Sequence, residues 1–325
     1  MISLIVTVLN EGDSIDPLML SILAQTCQPD ELVIVDGGST DQTVSVIQSY
    51  ADRLPLRVVV EPGANISRGR NRAIAESRGD IIAITDAGVR LESGWLQQLT
   101  QPLLDDPALM VAAGFFAADP RTRFEVAMGA AVLPVAADID PATFLPSSRS
   151  VAVRRAALER ASVYPEWLDY CEDLIFDLRL RTSGAPFVFV PQAVAYFRPR
   201  GSLRSYFKQY YLYARGDGKA DLWRRRHAVR YVTYLVAAPL LLLLGWRVHW
   251  LLWGLFPLGG AVYLRAPYAR LPQVMRHSPD RSAAAWLYVA LMIPIIRLVG
   301  DIAKMIGYPV GWCWRLRQRP PDWRE

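Results

Sequence analysis

Three short acidic segments have side chains that could bind a phosphate-containing ligand. They are Val35 to Asp41 (VDGGSTD), Thr85 to Gly88 (TDAG) and Cys171 to Leu174 (CEDL). The first two each end an apolar run with the length and composition of a buried strand. In an open parallel sheet, ligands bind beyond the carboxyl ends of the strands, where helix N-termini and loop carboxylates can hold phosphates and a metal ion. The pattern therefore predicts a site for a nucleotide-linked substrate at one edge of a sheet.

Strand and helix signals alternate around the first two segments. Ile2 to Leu9 and Ile81 to Thr85 are apolar runs of strand length, and Asn65 to Arg78 has the pattern of a helix. Ser39 and Gln42 have the spacing of a capping box and predict a helix that starts there. Repeated β-then-α units of this kind predict an α/β fold with a right-handed, mostly parallel sheet.

The C-terminal part of the chain is more apolar than the rest. Hydrophobic residues make up 52% of the 325 residues, and their excess lies after residue 228. Two apolar stretches that are separated only by Arg247 predict a transmembrane hairpin at about residues 229–264. A third apolar segment, at about residues 283–307, leads into charged residues and either spans the bilayer or lies flat on it.

The net charge of +5 at pH 7 favours membrane lipids over nucleic acid as the partner. Many arginines flank the apolar segments, where they can pair with anionic headgroups, and by the positive-inside rule they place the N-terminal domain in the cytoplasm.

The three cysteines, Cys27, Cys171 and Cys313, are far apart and odd in number, which fits a reducing compartment and gives no disulfide framework. The first residues lack the pattern of a signal peptide and predict a strand.

Five motifs, in this order, resemble those of the family 2 glycosyltransferases with the GT-A fold, particularly the membrane-anchored bacterial members. The motifs are Thr7 to Glu11 (TVLNE), Asp36 to Asp41 (DGGSTD), Ser67 to Asn71 (SRGRN), Asp86, and Glu172 to Leu174 (EDL) followed by Arg179 and Leu180. The resemblance covers about residues 1–220. It implies a GT-A, Rossmann-like domain at residues 1–222, with a mixed, mostly parallel sheet flanked by helices. A membrane-associated helical region at residues 223–325 would make the chain a multi-pass protein of the cell inner membrane.

The resemblance also implies contacts with the nucleotide. Thr7 and Glu11 fall where the family contacts the base and ribose, and Asp36 falls where a carboxylate accepts a hydrogen bond from the nucleobase. Arg70 falls where a guanidinium approaches the base or the diphosphate. A strand-end carboxylate and an arginine fork suit these contacts. In the competing interpretation, Asp36 is a turn residue before a helix.

Asp86 corresponds to the first carboxylate of the family's Asp-x-Asp metal motif, whose second aspartate is replaced here by Gly88. Mg²⁺ commonly uses few protein carboxylates and keeps several waters. We therefore expect Mg²⁺ or Mn²⁺ to be held by Asp86, diphosphate oxygens and water. In the competing interpretation, Asp86 is a plain turn residue.

Asp173 falls where the family has the general base of an inverting transfer, and Glu172 would support it. A carboxylate within hydrogen-bond reach can take the proton of the attacking acceptor hydroxyl. In the competing interpretation, Asp173 and Asp177, which are four residues apart, form a solvated helix face.

The function implied is inverting, metal-dependent transfer of a sugar from a nucleotide-diphosphate sugar to a lipid-linked or cell-envelope glycan acceptor, as in polysaccharide biosynthesis. Gln209 to Tyr213 lacks the Gln-x-x-Arg-Trp motif of processive synthases, which favours a single transfer. An alternative is a catalytically impaired GT-A scaffold in a membrane glycan-assembly complex, because Gly88 removes a metal ligand. A nucleotidyltransferase is less favoured, because the chain lacks its glycine-rich N-terminal loop.

Overall fold

The computed structural model describes residues 1–12, 14–276 and 278–324. Its strands are β1 (Ile2–Val8), β2 (Glu31–Asp36), β3 (Leu56–Val60), β4 (Ile81–Asp86), β5 (Val89–Leu91), β6 (Val111–Ala118), β7 (Val151–Arg154) and β8 (Phe187–Phe197). Its α-helices up to the second half of the chain are α1 (Ile15–Leu23), α2 (Thr43–Gln48), α3 (Ile66–Glu76), α4 (Trp95–Asp105), α5 (Arg123–Val132), α6 (Arg155–Ala161) and α7 (Glu172–Thr182). The remaining α-helices are α8 (Leu203–Lys219), α9 (Arg224–Val232), α10 (Ala238–Arg247), α11 (Leu255–Arg276) and α12 (Ala283–Gln318). A π-helical turn (Thr233–Ala237) joins α9 to α10, and short 3-10 helices span Ala136–Asp138 and Trp250–Gly254.

The strands form one eight-stranded mixed sheet in the order β3-β2-β1-β4-β7-β6-β8-β5. The pairs from β3 through β4 are parallel, whereas β7 runs antiparallel to both β4 and β6, and β5 runs antiparallel to β8. The mixed sheet with flanking helices confirms the predicted fold class, with the parallel pairing confined to one half. Both faces of the sheet are covered. Leu4 and Val6 pack with side chains of α1 and α4, and Ile5 packs with those of α3 and α7.

The predicted capping box at Ser39 and Gln42 is wrong. Helix α2 begins only at Thr43, and the side chain of its N-cap residue, Gln42, makes no capping hydrogen bond. The Ser39 hydroxyl instead donates to the carboxylate of Asp36. The hydroxyl donates to a carboxylate in a charge-assisted bond, and its oxygen accepts from the backbone N–H of Asn10 and not from a helix N–H, so the helix starts later.

The chain divides into two compact units. One comprises residues 1–117, 135–198 and 321–325 and contains nearly all of the sheet, and the other comprises residues 118–134 and 199–320. The second unit therefore contains α5 and all helices from α8 onward. The predicted boundary at residue 222 puts α8 in the first domain, whereas the structure groups α8 with the later helices. The division at residue 222 stays a prediction about function.

Glycines bring the backbones of α8 and α12 into direct contact within the second unit. A Cβ atom on Gly307 would overlap the carbonyl oxygen of Tyr211, and a Cβ atom on Gly311 would overlap that of Arg215. Gly218 on α8 approaches α12 in the same way. Small residues at such positions let two helices pack more closely than side chains would allow.

Two segments are long and apolar enough to cross a membrane, judged by length and composition. They are Arg224–Arg247, which runs from α9 through α10, and Ala283–Gln318, which is α12. The first segment corresponds to the first arm of the predicted hairpin. Within the described residues, α11, which contains most of the second arm, does not meet this criterion.

We expect Gly311→Ala to lower the free energy of unfolding by about 1–3 kcal/mol, the usual cost of overpacking, because its methyl group would strike the backbone of α8. Gly259 on α11 provides the matched control, since nothing lies within 4 Å of a Cβ atom there. Gly259→Ala should leave the stability unchanged or raise it slightly through helix propensity. Thermal unfolding in detergent measures both variants, and equal melting temperatures for the two would contradict the proposed backbone contact.

Candidate active site

Two of the acidic segments meet at one edge of the sheet. In the strand register, Thr7 on β1 pairs with Asp86 on β4, and the adjacent Val8 pairs with Asp36 on β2. Neighbouring strands lie about 4.8 Å apart, so the Cα atoms of the two aspartates flank β1 at a separation of about 10 Å. The carboxyl ends of three parallel strands thus bring the two aspartates to the same end of the sheet. Their side chains start from opposite faces, because Thr7 and Val8 alternate across β1.

Asp36 is 1% exposed and organises the turn that follows β2. Its Oδ2 atom accepts from the backbone N–H groups of Gly38 and Ser39 at 2.9 and 2.8 Å. Gly38 has a φ of +94°, a conformation that glycine adopts readily. The structure therefore gives Asp36 the turn role of the competing interpretation, and the predicted contact with a nucleobase stays a prediction.

Thr7 and Glu11 lie at the end of β1 and just beyond it. The Thr7 methyl group faces Gly69 on α3 so closely that a Cβ atom there would lie 3.0 Å from it. The backbone N–H of Glu11 donates to the Thr43 hydroxyl at 2.7 Å, and the Glu11 carboxylate accepts from Ser14. The roles of Thr7 and Glu11 in binding base and ribose stay predictions.

Arg70 joins the strand-end carboxylate to the third acidic segment. Its Nη2 atom donates to Asp86 Oδ1 at 2.6 Å, and its Nη1 atom donates to Glu172 Oε1 at 2.7 Å. The Arg70 side chain is only 3% exposed, and its Cζ atom lies 5.1 Å from the centre of the Tyr164 ring. Because two of its nitrogens are already paired, Arg70 acts here as an internal link. Its predicted contact with base or diphosphate stays a prediction.

Polar side chains of α3 hold the segment that leads into α7. Asn71 forms a reciprocal pair with Tyr164, since its Nδ2 donates to the Tyr164 carbonyl and its Oδ1 accepts from the Tyr164 N–H, both at 2.9 Å. Ser67 donates to the Leu168 carbonyl at 3.1 Å, and Asn65 donates to the Glu166 carbonyl at 2.7 Å. The SRGRN motif was assigned a role at Arg70 alone. The amide and hydroxyl side chains beside Arg70 are polar groups on a helix that packs on the sheet. They were the sequence signal that this helix also holds the segment before α7.

Helix α7 starts with the two acidic residues predicted to be catalytic. Glu172 is 6% exposed and Asp173 is half-buried, and both lie in the first helical turn, where the helix dipole favours negative charge. Asp177 is 2% exposed, and its Oδ2 atom has no hydrogen-bond partner among the described residues. The interpretation of Asp173 and Asp177 as a solvated helix face is wrong for Asp177, because α7 packs Phe176 and Leu180 into the core and turns Asp177 inward with them.

The charges of this network shift the pKa values of its members. Burial would raise the pKa of Asp86, but the guanidinium groups of Arg70 and Arg149 outweigh burial and lower it. Burial and the neighbouring charge of Asp173 raise the pKa of Glu172 to about 7, against the opposing effect of Arg70. Asp86 is therefore an anion at neutral pH, whereas Glu172 is close to its titration point.

A second arginine, which is part of none of the five motifs, lies beside Asp86. The Nε atom of Arg149 is 3.6 Å from Asp86 Oδ2. Its Cζ atom lies 4.8 Å from the ring centre of Phe197 and 5.8 Å from that of Phe116. The Thr85 hydroxyl donates to the Arg149 carbonyl at 2.8 Å, which ties this residue to the end of β4.

The residues around Asp86 suit a hard cation that takes a single ligand from the protein. Among the described residues, no group of three or more His, Cys, Asp or Glu side chains could hold a metal ion. Asp86 Oδ2 faces Arg149 at ion-pair distance and keeps lone pairs for a ligand bond. Nothing lies within 4 Å of a Cβ atom at Gly88, so there is space where the second carboxylate of the motif would stand. Phosphate oxygens and water would have to complete the coordination of Mg²⁺ or Mn²⁺.

The family model described as Glycosyl transferase family 2 matches residues 3–149, a little under half of the chain. The uncharacterized glycosyltransferase YibD of Escherichia coli K12 is 31% identical over 106 residues, which are 32% of this chain and 31% of YibD. The chain thus aligns with about a third of that relative's length. The O-antigen chain rhamnosyltransferase RfbN of Salmonella typhimurium is 24% identical over 222 residues, which are 65% of this chain and 70% of RfbN.

Solved structures of similar fold include the mannosyltransferase PcManGT from Pyrobaculum calidifontis in complex with GDP-Man and Mn²⁺. The alignment has a TM-score of 0.60 at 20% identity and covers 90% of this chain and 86% of PcManGT. At this identity the likeness establishes the fold. The chain therefore has the GT-A fold that its motifs predicted.

We expect Glu172→Gln to change how stability depends on pH. Because the pKa of Glu172 is raised from 4.5 to about 7, the folded protein binds more protons than the unfolded chain between these values. Stability therefore falls as pH rises through this range, and glutamine removes that fall. Melting temperatures measured from pH 4.5 to 8 should decline less steeply for the variant. Glu159→Gln, at an exposed position on α6, is the matched control and should behave like the parent; identical slopes for all three proteins would contradict the expectation.

Proposed function

We propose that this protein transfers a sugar from a nucleotide-diphosphate sugar to an acceptor hydroxyl with inversion at the anomeric carbon. The observation that carries the proposal is the Arg70 link, which joins Asp86 at the end of β4 to Glu172 beside Asp173 at the start of α7. One network thus contains a carboxylate suited to a diphosphate-bound cation and another suited to proton removal. The similarity in fold to a mannosyltransferase in complex with GDP-Man and Mn²⁺ supports a donor of this class.

In this proposal, the donor binds at the sheet edge that carries Asp36 and Asp86. Thr7, Glu11 and Asp36 hold the nucleoside, and Arg70 steadies Asp86, which provides the one protein ligand of Mg²⁺ or Mn²⁺. When bound, the cation neutralises charge on the departing diphosphate. Arg149 lies beside Asp86 and provides a second positive charge for phosphate oxygens.

Transfer then requires a base on the acceptor side. Asp173 takes the proton of the acceptor hydroxyl as its oxygen forms a bond to the anomeric carbon. The bond between that carbon and the β-phosphate oxygen breaks, and the nucleoside diphosphate leaves with the electron pair. The partial burial of Asp173 fits a base that must reach a bound hydroxyl, and the buried Glu172 fixes the start of α7 through Arg70.

We infer a lipid-linked or cell-envelope glycan as the acceptor. The name of RfbN, an O-antigen chain rhamnosyltransferase, supports this class. The two apolar segments and the arginines beside them support association with the inner membrane, with the catalytic domain, predicted at residues 1–222, on the cytoplasmic side and residues 223–325 attached to the bilayer. Membrane lipids are then a further partner.

A scaffold without transferase activity is the second candidate. It is favoured by one observation: both Asp86 oxygens face arginines, and the place of the second motif carboxylate is taken by Gly88. Such a protein would bind a nucleotide sugar and release no nucleoside diphosphate from it.

Asp173→Asn should leave donor affinity unchanged and lower turnover by about 10²–10⁴-fold, the usual contribution of a general base. Release of nucleoside diphosphate from a panel of nucleotide sugars measures turnover, and calorimetry measures donor affinity. Asp52→Asn, at an exposed position, is the control and should behave like the parent. Turnover of Asp173→Asn at the parent's rate would remove Asp173 from this role. A parent protein that binds donor and never releases product would favour the scaffold.

Asp86→Asn should abolish most of the gain in donor affinity that Mg²⁺ or Mn²⁺ gives to the parent. Asparagine keeps the shape of the side chain and removes the charge that attracts a hard cation. Calorimetry with a nucleotide sugar, with and without the cation, checks this. Equal donor affinity of the parent in both conditions would show that the cation has no part in binding.

A further inference from the structure

Helix α12 has two apolar faces on opposite sides. The buried face packs inside the second unit and consists of Val289, Ile293, Ile296, Gly300, Ala303, Gly307 and Gly311. The other face is exposed and consists of Leu287, Leu291, Ile295, Leu298, Ile302, Ile306 and Val310. Because the exposed residues recur every three or four positions, they form one continuous stripe. At 1.5 Å per residue, this apolar stripe is about 35 Å long.

The buried face is covered by a helix that is itself charged. Helix α8 runs along the C-terminal half of α12, with Tyr206 against Gly300 and Arg215 against Gly311. Its charged residues are Arg204, Lys208, Arg215, Asp217 and Lys219. Among them, Lys208 is exposed. The backbone contacts leave no room for lipid between the two helices, so α8 must accompany α12 wherever α12 lies.

Charged residues also lie at the midpoint of α12. Arg297, Asp301 and Lys304 flank the centre of the apolar stripe. Asp301 is 6% exposed and accepts from Arg230 Nε at 2.8 Å.

Arg204 and Lys208 of α8 lie within two residues of Tyr206, which contacts Gly300. If α12 crossed the bilayer, they and the charged side chains of α12 would lie near the midplane, where ionised groups are costly. A helix in the plane of the interface keeps them all on the protein side.

We propose that α12 lies flat in the membrane interface, with its apolar stripe in the acyl chains of an anionic bilayer and α8 on the water side. This inference rests on the membrane association proposed above and is independent of sugar transfer. Arg317 and Arg319, exposed at the end of α12, supply charge that is complementary to anionic headgroups. Trp286 and Tyr288, at the start of the stripe, are the aromatic residues typical of this depth. The same arginines would repel a second copy of the stripe.

The depth of the stripe tests this orientation. Nitroxide labels are attached to Leu287→Cys, Leu298→Cys and Val310→Cys in the full chain, in which Cys27, Cys171 and Cys313 are replaced by alanine. The proteins are reconstituted into vesicles that contain phosphatidylglycerol, and label depth is measured from accessibility to oxygen and to a water-soluble nickel complex. We expect similar, shallow depths of about 5–10 Å for all three labels. Lys208→Cys on α8 is the matched control and should be accessible to the nickel complex.

A spanning helix gives a different profile. Leu298→Cys would then be deepest, near the midplane at about 15 Å, with the two ends shallow and Lys208→Cys shielded from nickel. That result would overturn the proposal, and so would stripe labels that face water or broaden each other as in a dimer. The depth profile requires no turnover, so its failure is distinguishable from that of the proposed transferase activity.

A second measurement uses the unaltered chain, in case the cysteine replacements disturb folding. Photoreactive lipids that carry their reactive group either near the headgroup or at the end of the acyl chain are added to the vesicles, and labelled peptides are identified by mass spectrometry. A flat α12 should be labelled along its whole stripe by the shallow probe. Labelling around Leu298 by the deep probe alone would overturn the proposal.

Discussion

The candidate site depends on a single buried arginine that pairs with carboxylates from two distant parts of the chain. Arg70 bonds to Asp86 at a strand end and to Glu172 at a helix start, and all three side chains are largely out of water. Removing one partner from such a network leaves an uncompensated charge, a loss that typically costs about 3–5 kcal/mol. The arrangement of the catalytic edge and the stability of this unit therefore rest on the same contacts.

Close packing brings Arg70 to this position. Gly69 lets α3 approach the Thr7 methyl group at the end of β1, and the next residue on the helix then projects toward Asp86. Asn71 and Ser67 on α3 hydrogen-bond to the backbone of the segment that leads into α7 and so position that helix. The SRGRN motif thus connects sheet, helix and loop through backbone-directed hydrogen bonds, which tolerate little displacement because each buried polar group needs its partner.

The sequence predicted those parts of the site that follow from local pattern. Asp36 and Asp86 each follow an apolar run of strand length. This predicted that they lie at the same end of the sheet, because parallel strands of one sheet end together. The pairing of Arg70 with Glu172 could not be predicted, since these residues are about a hundred positions apart and only the three-dimensional packing of α3 and α7 joins them. The burial of Asp177 was missed for a similar reason: a charged residue in an amphipathic helix is normally exposed, and only the packing of Phe176 shows that it is not. In the same way, the sequence could not show that one face of α12 is covered by α8.

The backbone contact between α8 and α12 has a consequence for how the protein can be divided. A fragment that ends at residue 222 would keep α5 and α8 but lose the helix that covers them, leaving Tyr206 and the glycine-lined surface of α8 open to water. Shortening the chain to remove its apolar end would thus create new hydrophobic surface and favour aggregation. A shortened chain would therefore have to retain α8 and α12 together, in detergent.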